Sequence, residues 1–418
     1  MKKSMKKRLS LLLAGLLALA ASTGCVGGAE APVNNDTAPQ TSTGADAGQN
    51  PEPTATAPEG AGTYKIGINY MTSASYVLVT LRDNSVKVIE LLGSNALPID
   101  DDANPEKIMQ DIENMIASSC DGVIAWMLVD QMFDPLSELC ERGKVPFVLN
   151  DKVPEDPATI SNIKANPYFA GAIGPANAVY GESVAEYALA KGWKTVLILS
   201  GDAADPTDTP RILAFRAKFE AGGGIVLNEA HAASTADIQP TIDNALVAYP
   251  EPDFIYATGP DYSNASCDSL YGKGWKTKVL SSGLDSTSLE RLADPDSPMD
   301  FLNGDNWVAG AFSAIILMNE LDGNPLLDAN GDKVWYTDIM PFGVPSAQYD
   351  LFKKFFIDEF MFTAEELSKM RTAVNPDFNY DVFMDVVKNY SLEERLKARY
   401  AEGKITKAEM DAAGIAVN

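Results

Sequence analysis

From Tyr64 onward, short apolar runs rich in valine and isoleucine alternate with segments of helical period, and this alternation restricts the chain to one fold class. Lys65–Tyr70 (KIGINY) reads as a strand, Tyr76–Leu92 as a helix and Ala96–Ile99 as a second strand. Asn104 is a good helix cap with Pro105 at the first helical position. Ile108, Met109, Ile112, Met115 and Ile116 then fall on one helical face. Gly122–Met127 is a third strand, Phe133–Cys140 a helix and Pro146–Asn150 a fourth strand. Strands that are apolar along their whole length and separated by helices predict a parallel sheet covered on both faces. The pattern then restarts. Ala178–Ala190 is helical, Thr195–Ser200 a strand and Arg211–Phe219 a helix, with further strands at Ile225–Asn228, Phe254–Ala257 and Lys278–Ser281. Two α/β units of this size each bury their own core. Open parallel sheets bind ligands beyond the carboxyl ends of their strands, so two facing units would hold a small molecule between them.

What precedes Tyr64 has a different character. Lys2, Lys3, Lys6, Lys7 and Arg8 form a positive region, Leu9–Ala21 an apolar one, and Ser22-Thr23-Gly24-Cys25 resembles a lipobox. The apolar run is too short for a comfortable membrane span, which favours a cleaved export signal over residues 1–24 with lipid on Cys25. Val26–Gly62 lacks large apolar residues and is expected to be a flexible tether. The expected location is extracytoplasmic, lipid-anchored to the bacterial cell membrane. Removing residues 1–24 takes away five cations and no anions, so the formal charge goes from −25 to −30. Such acidity disfavours nucleic acid and leaves membrane contact to the lipid. Cys120, Cys140 and Cys267 show no CxxC spacing and read as small buried hydrophobes, one disulfide with a leftover thiol being the alternative. The single histidine, His231, excludes a histidine metal cluster and argues against a Ser-His-Asp triad. It reads as a strand-end residue. Neither metal nor cofactor is expected. Asp328-Ala329-Asn330-Gly331-Asp332 has oxygens spaced like the start of a calcium loop, but Ile339 stands at the twelfth position, so a tight turn is the better reading.

The order of segments resembles the type I periplasmic binding proteins that serve sugar ABC transporters. The stretches that carry the resemblance are Asp101-Asp102-Ala103-Asn104-Pro105-Glu106-Lys107 followed by Asp111–Ile116, and Gly122–Ala125 followed by Asp130. Val145–Lys152, Thr195–Gly201 with Arg211 and Phe215, and Ser282-Gly283-Leu284-Asp285 complete the set. The resemblance implies an α/β fold of two doubly wound parallel-sheet lobes joined by three crossovers, near Ala172–Pro175, Asn303–Asp305 and Asp338–Phe342. It divides the chain into lobes of residues 63–173 with 304–338 and 174–303 with 339–345. Residues 346–418 form a helical C-terminal extension. Tyr349–Phe360 and Leu392–Ala401 look helical there, and Phe355, Phe356, Phe360 and Phe362 are expected to pack against a lobe rather than a partner.

By the same resemblance, Asp151 matches a ligand-binding aspartate, with Lys152 where an arginine is usual, a change that keeps the charge but loses the bidentate fork. Arg211 and Asp285 match residues of the second lobe, and Asp305 and Asn306 stand by the second crossover. Tyr76 and Trp126 are the aromatic candidates for the face of a sugar ring, with Trp307 more simply a packing residue. Ala257-Thr258-Gly259-Pro260-Asp261 stands where an asparagine ligand is usual, and the usual phenylalanine pair is absent. This implies a modified sugar, a nucleoside or a signalling molecule of similar size rather than a standard pentose or hexose held in the usual way. The expected protein is no enzyme. It is a monomeric solute-binding component that delivers a sugar-like ligand to an ABC permease. A sensory binding protein serving a membrane receptor, or a nucleoside-binding lipoprotein, is the alternative.

Overall fold

The computed structural model describes residues 57–417 apart from 176, 206 and 305–307. Cys25, the export signal and most of the tether, and Asp305, Asn306 and Trp307, lie outside the described residues. The first sheet is built by β1 (Lys65–Tyr70), α1 (Tyr76–Leu91), β2 (Asn95–Asp100), α2 (Pro105–Ala117), β3 (Gly122–Ala125), α3 (Phe133–Gly143), β4 (Phe147–Asn150), α4 (Pro157–Ala165) and β5 (Phe169–Ile173). The second uses α5 (Asn177–Ala190), β6 (Thr195–Ser200), α6 (Asp208–Ala221), β7 (Ile225–His231), α7 (Ile238–Ala248), β8 (Phe254–Ala257), α8 (Pro260–Leu270), β9 (Lys278–Ser282), α9 (Ser286–Ala293) and β10 (Met299–Gly304). The chain then returns to the first sheet with α10 (Ala309–Leu321) and β11 (Trp335–Tyr336), and crosses again to the second with β12 (Phe342–Pro345).

Strand order is β11-β5-β4-β3-β1-β2 in the first sheet and β12-β10-β9-β8-β6-β7 in the second. Every pairing is parallel except β10 with β12. This is a doubly wound pair of sheets crossed three times by the chain, as the order of segments implied. β1, β3, β4, β6 and β8 are apolar and buried along nearly their whole length because helices cover both faces. Asn104 caps α2, accepting from the Glu106 and Lys107 amides, and Ser75 caps α1. Cys120, Cys140 and Cys267 are free and buried, and burial pushes the Cys140 and Cys267 thiols up to about 12, so neither is a reactive thiolate. Asp328 closes a tight turn, its carboxylate accepting from the Asn330 and Asp332 amides while Leu327 and Lys333 bridge.

Two glycines fix close approaches. A Cβ on Gly181 of α5 would lie 1.9 Å from the Arg211 carbonyl oxygen, so only glycine lets α5 and α6 pack as they do. At the first crossover, a Cβ on Gly174 would lie 2.5 Å from the Asp151 carbonyl oxygen. Both glycines therefore set the backbone beneath candidate ligand residues.

Beyond β12 the chain forms α11 (Tyr349–Phe352), which runs on as a wider-turned helix to Asp358, then α12 (Ala364–Lys369), α13 (Tyr380–Asn389), α14 (Leu392–Ala401) and α15 (Lys407–Ala412). The helix expected to reach Phe360 thus ends two residues earlier, and Phe360 is only partly buried while Phe355, Phe356 and Phe362 are buried. These rings pack inward. Tyr390 touches Phe312 of α10 at 5.6 Å between centroids and Phe342 of β12 at 5.8 Å, so one side chain of the extension contacts elements of both sheets. Phe312 also meets Phe362 and Phe383, and Phe342 meets Phe352 and Phe356. Helix α10 is consequently buried on every side from Ala309 to Asn319. At its far end Arg371, fully buried, forms a two-pronged pair with Asp322, which also accepts from the Gly62 amide and the Tyr64 hydroxyl.

Candidate functional site

Polar residues collect where the parallel strands end. In the first sheet the backbone turns sharply after β4, and Asp151 adopts the left-handed conformation at φ 67°, an unfavourable state for a residue with a Cβ. It is held there by its amide donating to the Ile173 carbonyl and by the close pass of Gly174. Its carboxylate accepts from the Trp126 indole nitrogen at 3.0 Å. Trp126 follows β3, and its backbone is gripped from both sides by Asn69 of β1. The Asn69 Oδ1 accepts from the Trp126 amide at 2.9 Å, and the Asn69 Nδ2 donates to the Trp126 carbonyl at 2.7 Å. The same amide group donates to Asp101 at 2.8 Å. Lys152 turns back and donates to the Leu128 carbonyl. Asp151 and Trp126 are thus brought together, while the Lys152 ammonium is spent on the backbone beside them.

In the second sheet Arg211 lies on the face of α6 that Gly181 admits. Its guanidinium donates to the Thr258 carbonyl at 2.9 Å and to Asn177 at 3.3 Å, and stacks over the Tyr180 ring at 4.4 Å. Asp208, one turn earlier, is buried and accepts from the Gly201 amide, and burial raises its pKa. Asp285 follows β9 and caps α9. Its carboxylate accepts from the Ser288 amide at 2.6 Å and faces the Asn264 amide group. One of its oxygens is therefore largely committed to the helix end.

Tyr76 opens α1, and burial raises its phenol, with the Asp285 carboxylate close enough to add to the effect. Sequence reasoning missed Asn69, Asp101, Asn177, Tyr180 and Asp208. The available signal was a polar residue inside or just after an otherwise apolar strand, as in the asparagine of KIGINY.

His231 ends β7 as expected, and the structure joins it to Ser200 and Glu229 in a chain that resembles a catalytic triad. The His231 Nδ1 lies 2.9 Å from the Ser200 hydroxyl but also 3.0 Å from the Gly201 carbonyl, and Nε2 lies 3.1 Å from Glu229. A carbonyl beside Nδ1 requires that nitrogen to donate, so it does not take the serine proton. The arrangement is a hydrogen-bonded strand end. Among the described residues no group of three or more histidine, cysteine, aspartate or glutamate side chains is placed to hold a metal ion.

The family model described as "Periplasmic binding protein domain" matches residues 71–325, well over half of the chain. Among curated proteins none matches the sequence. Solved structures do. The periplasmic ribose ABC transporter protein of Conexibacter woesei DSM 14684 is 13% identical, covers 71% of this chain and 97% of its own, and superposes with a TM-score of 0.56. An ABC transporter solute-binding protein of Bradyrhizobium sp. BTAi1 with bound bis-tris is 15% identical, covering 71% and 87%, at 0.60. The arabinose ABC transporter binding protein of Shewanella sp. ANA-3, bound to arabinofuranose, is 13% identical, covering 69% and 94%, at 0.53.

The chain belongs to the periplasmic binding protein family. Members of that family are extracytoplasmic solute-binding proteins and not enzymes.

Proposed function

We propose that this protein captures a small polar ligand, a sugar or sugar derivative, between the carboxyl ends of its two sheets and hands it to an ABC permease while anchored through lipid on Cys25. The observation that carries this reading is the pairing of Asp151 with Trp126. A carboxylate held in a strained left-handed turn at the end of a parallel strand, beside an indole, offers an acceptor for hydroxyl groups and an apolar face for the ring's C–H side. Arg211, Tyr76 and Asp285 supply further polar and aromatic groups, and Lys152, Asp305 and Asn306 complete the assigned set. Residues 63–173 with 304–338 act as one lobe and 174–303 with 339–345 as the other. Closure by hinge motion at the crossovers traps the ligand. Selectivity then rests on the cost of leaving a buried polar group unpaired.

The test is a thermal-shift screen of residues 57–418 against sugars, polyols, nucleosides and amino acids. A ligand at a hundred times its Kd stabilises by about 2.7 kcal/mol. A shift with one sugar class that Asp151→Ala and Trp126→Ala both abolish supports the reading. A shift with nucleosides alone overturns the sugar assignment, and a sugar shift that survives both substitutions overturns the site.

A further inference from the structure

Two buried rings stand where the chain has just crossed between its sheets. Phe312 lies in the first turn of α10, after the second crossover, and Phe342 opens β12, after the third. Each is fixed to a different sheet. Helix α10 is tied to the first, with Ser313 donating to Asn150 of β4 at 2.9 Å and Ser85 of α1 donating to the Gly310 carbonyl at 3.1 Å. Strand β12 pairs with β10 of the second, Phe342 standing opposite Gly304. Between the two rings sits Tyr390, buried, at 5.6 Å from Phe312 and 5.8 Å from Phe342. It belongs to neither sheet and follows α13 of the C-terminal extension. The extension itself holds both sides. Helix α12 touches α1, and Asn319 of α10 donates to the Met370 carbonyl and accepts from the Thr372 amide. Helix α11 touches α9 and β12, and α14 touches β12. Glu366 of α12 accepts from Arg395 of α14 at 2.8 and 3.0 Å, which joins the part on the first sheet to the part on the second.

We infer that the C-terminal extension is a brace across the crossovers: Tyr390, seated between Phe312 and Phe342, holds the two sheets near one mutual angle until a ligand draws them to another. The inference rests on the reading that the sheets move as two lobes about those crossovers. Rotation carries Phe312 with the first sheet and Phe342 with the second, so Tyr390 cannot keep both contacts while the angle changes. Close-packed rings do not stretch gradually, because a small gap already forfeits much of the contact. The lobes therefore move by exchanging one ring packing for another rather than by a continuous swing, as packed interfaces with two arrangements do. A cleft braced in this way offers an incoming ligand one opening instead of a spread of them.

The experiment needs no ligand. The body from residue 57 onward lies within one compact unit and is tested without Cys25. Gln131→Cys and Ala203→Cys place spin labels at exposed positions after β3 and β6, one on each sheet, while Cys120, Cys140 and Cys267 are buried and stay unlabelled. Pulsed electron paramagnetic resonance then reads the distribution of distances between the labels. The expected result is one narrow peak in the wild-type background, kept in Tyr390→Phe, which retains the ring, and lost to a broad distribution in Tyr390→Ala. Phe383→Ala is the control for packing against α10, because the Phe383 ring meets Phe312 and Phe378. It should lower Tm and leave the peak narrow. If Tyr390→Ala does not fold, Phe342→Leu decides, since it keeps β12 apolar while giving up the ring that Tyr390, Phe352 and Phe356 pack on, and the same broadening is expected. A broad distribution in the wild type, a peak that stays narrow in Tyr390→Ala or Phe342→Leu, or equal broadening in Phe383→Ala overturns the brace. Lobe motion is read separately, from whether a ligand returned by the screen shifts the wild-type peak. Such a shift upholds closure even where the brace fails, and its absence overturns closure and the brace with it.

Discussion

Replacing Asp322 with alanine removes the carboxylate that faces a fully buried guanidinium. Arg371 donates to Asp322 through Nε at 2.7 Å and through Nη2, it also donates to the Gly62 carbonyl at 3.2 Å and lies over the Tyr64 ring at 5.9 Å, while Nη1 is buried without a hydrogen-bond partner. Truncating one member of a buried pair leaves an uncompensated charge, which costs about 3–5 kcal/mol. Unfolding entropy of about 2.1 cal/mol/K per residue gives this body roughly 0.75 kcal/mol/K, so Asp322→Ala should lower Tm by roughly 4–7 °C. The double variant Asp322→Leu with Arg371→Met removes both charges, and a buried pair replaced by apolar groups of similar size is often neutral. Here the Gly62 amide and the Tyr64 hydroxyl lose their acceptor, so a residual cost of about 1–3 kcal/mol is expected. Differential scanning calorimetry of the wild type, Asp322→Leu, Arg371→Met and the double closes the cycle, with Asp322→Ala measured beside them. A single variant within about 1 °C of wild type would refute the argument. So would a double variant less stable than Asp322→Ala, because the loss would then not come from stranded charge.

Four further outcomes follow from the geometry. Asp101 has a folded-state pKa near 7 against 3.8 for the free side chain, so its folded form holds the proton longer and stability falls as pH rises from about 4 to about 7, then levels. Asp101→Asn should match wild type near pH 4 and exceed it by as much as about 4 kcal/mol at pH 8 in urea unfolding, and a gap that does not widen with pH contradicts this. Tyr390→Phe removes a buried hydroxyl that has no partner, and should leave Tm unchanged or raise it, whereas Phe312→Ala should cost about 3–5 kcal/mol. Gly181→Ala places a methyl group against the Arg211 carbonyl and should weaken ligand binding along with stability, measured by calorimetric titration of whichever sugar the screen returns. Asp285→Asn keeps an oxygen for the Ser288 amide, so it should preserve Tm within about 1 kcal/mol while testing its contribution to affinity alone.

The fold was legible because its strands are apolar along their length and its helices are capped by side chains that announce themselves, Asn104 with Pro105 above all. Two of the elements not read from the sequence show why some of it was not. Helix α10, AGAFSAIILMNEL, is buried all round and so has no polar face to give it a helical period. Strand β10, MDFLNG, mixes polar and apolar residues and ends at a crossover. The candidate site was legible only at strand ends that matched a family order. Asp151 and Trp126 could be named singly, but their hydrogen bond joins residues 25 apart in sequence and belongs to the register of β3 with β4. Asn69 and Asp101 escaped because their meaning depends on a third strand. Resemblance marks Asp285 as a ligand residue; the structure makes it the cap of α9 and leaves the ligand role to experiment.

Phe312 and Asn319 lie seven residues apart on α10 and so share a face. Phe312 is enclosed by Phe362, Phe383 and Tyr390, and Asn319 pairs with the Met370 carbonyl and the Thr372 amide. That face is written for the C-terminal helices and for nothing else. Without those helices the face would be exposed to water. The tail and one stripe of a distant helix thus form a single packing unit. Deletion of the tail without rewriting that stripe yields a chain that aggregates instead of a smaller binding protein.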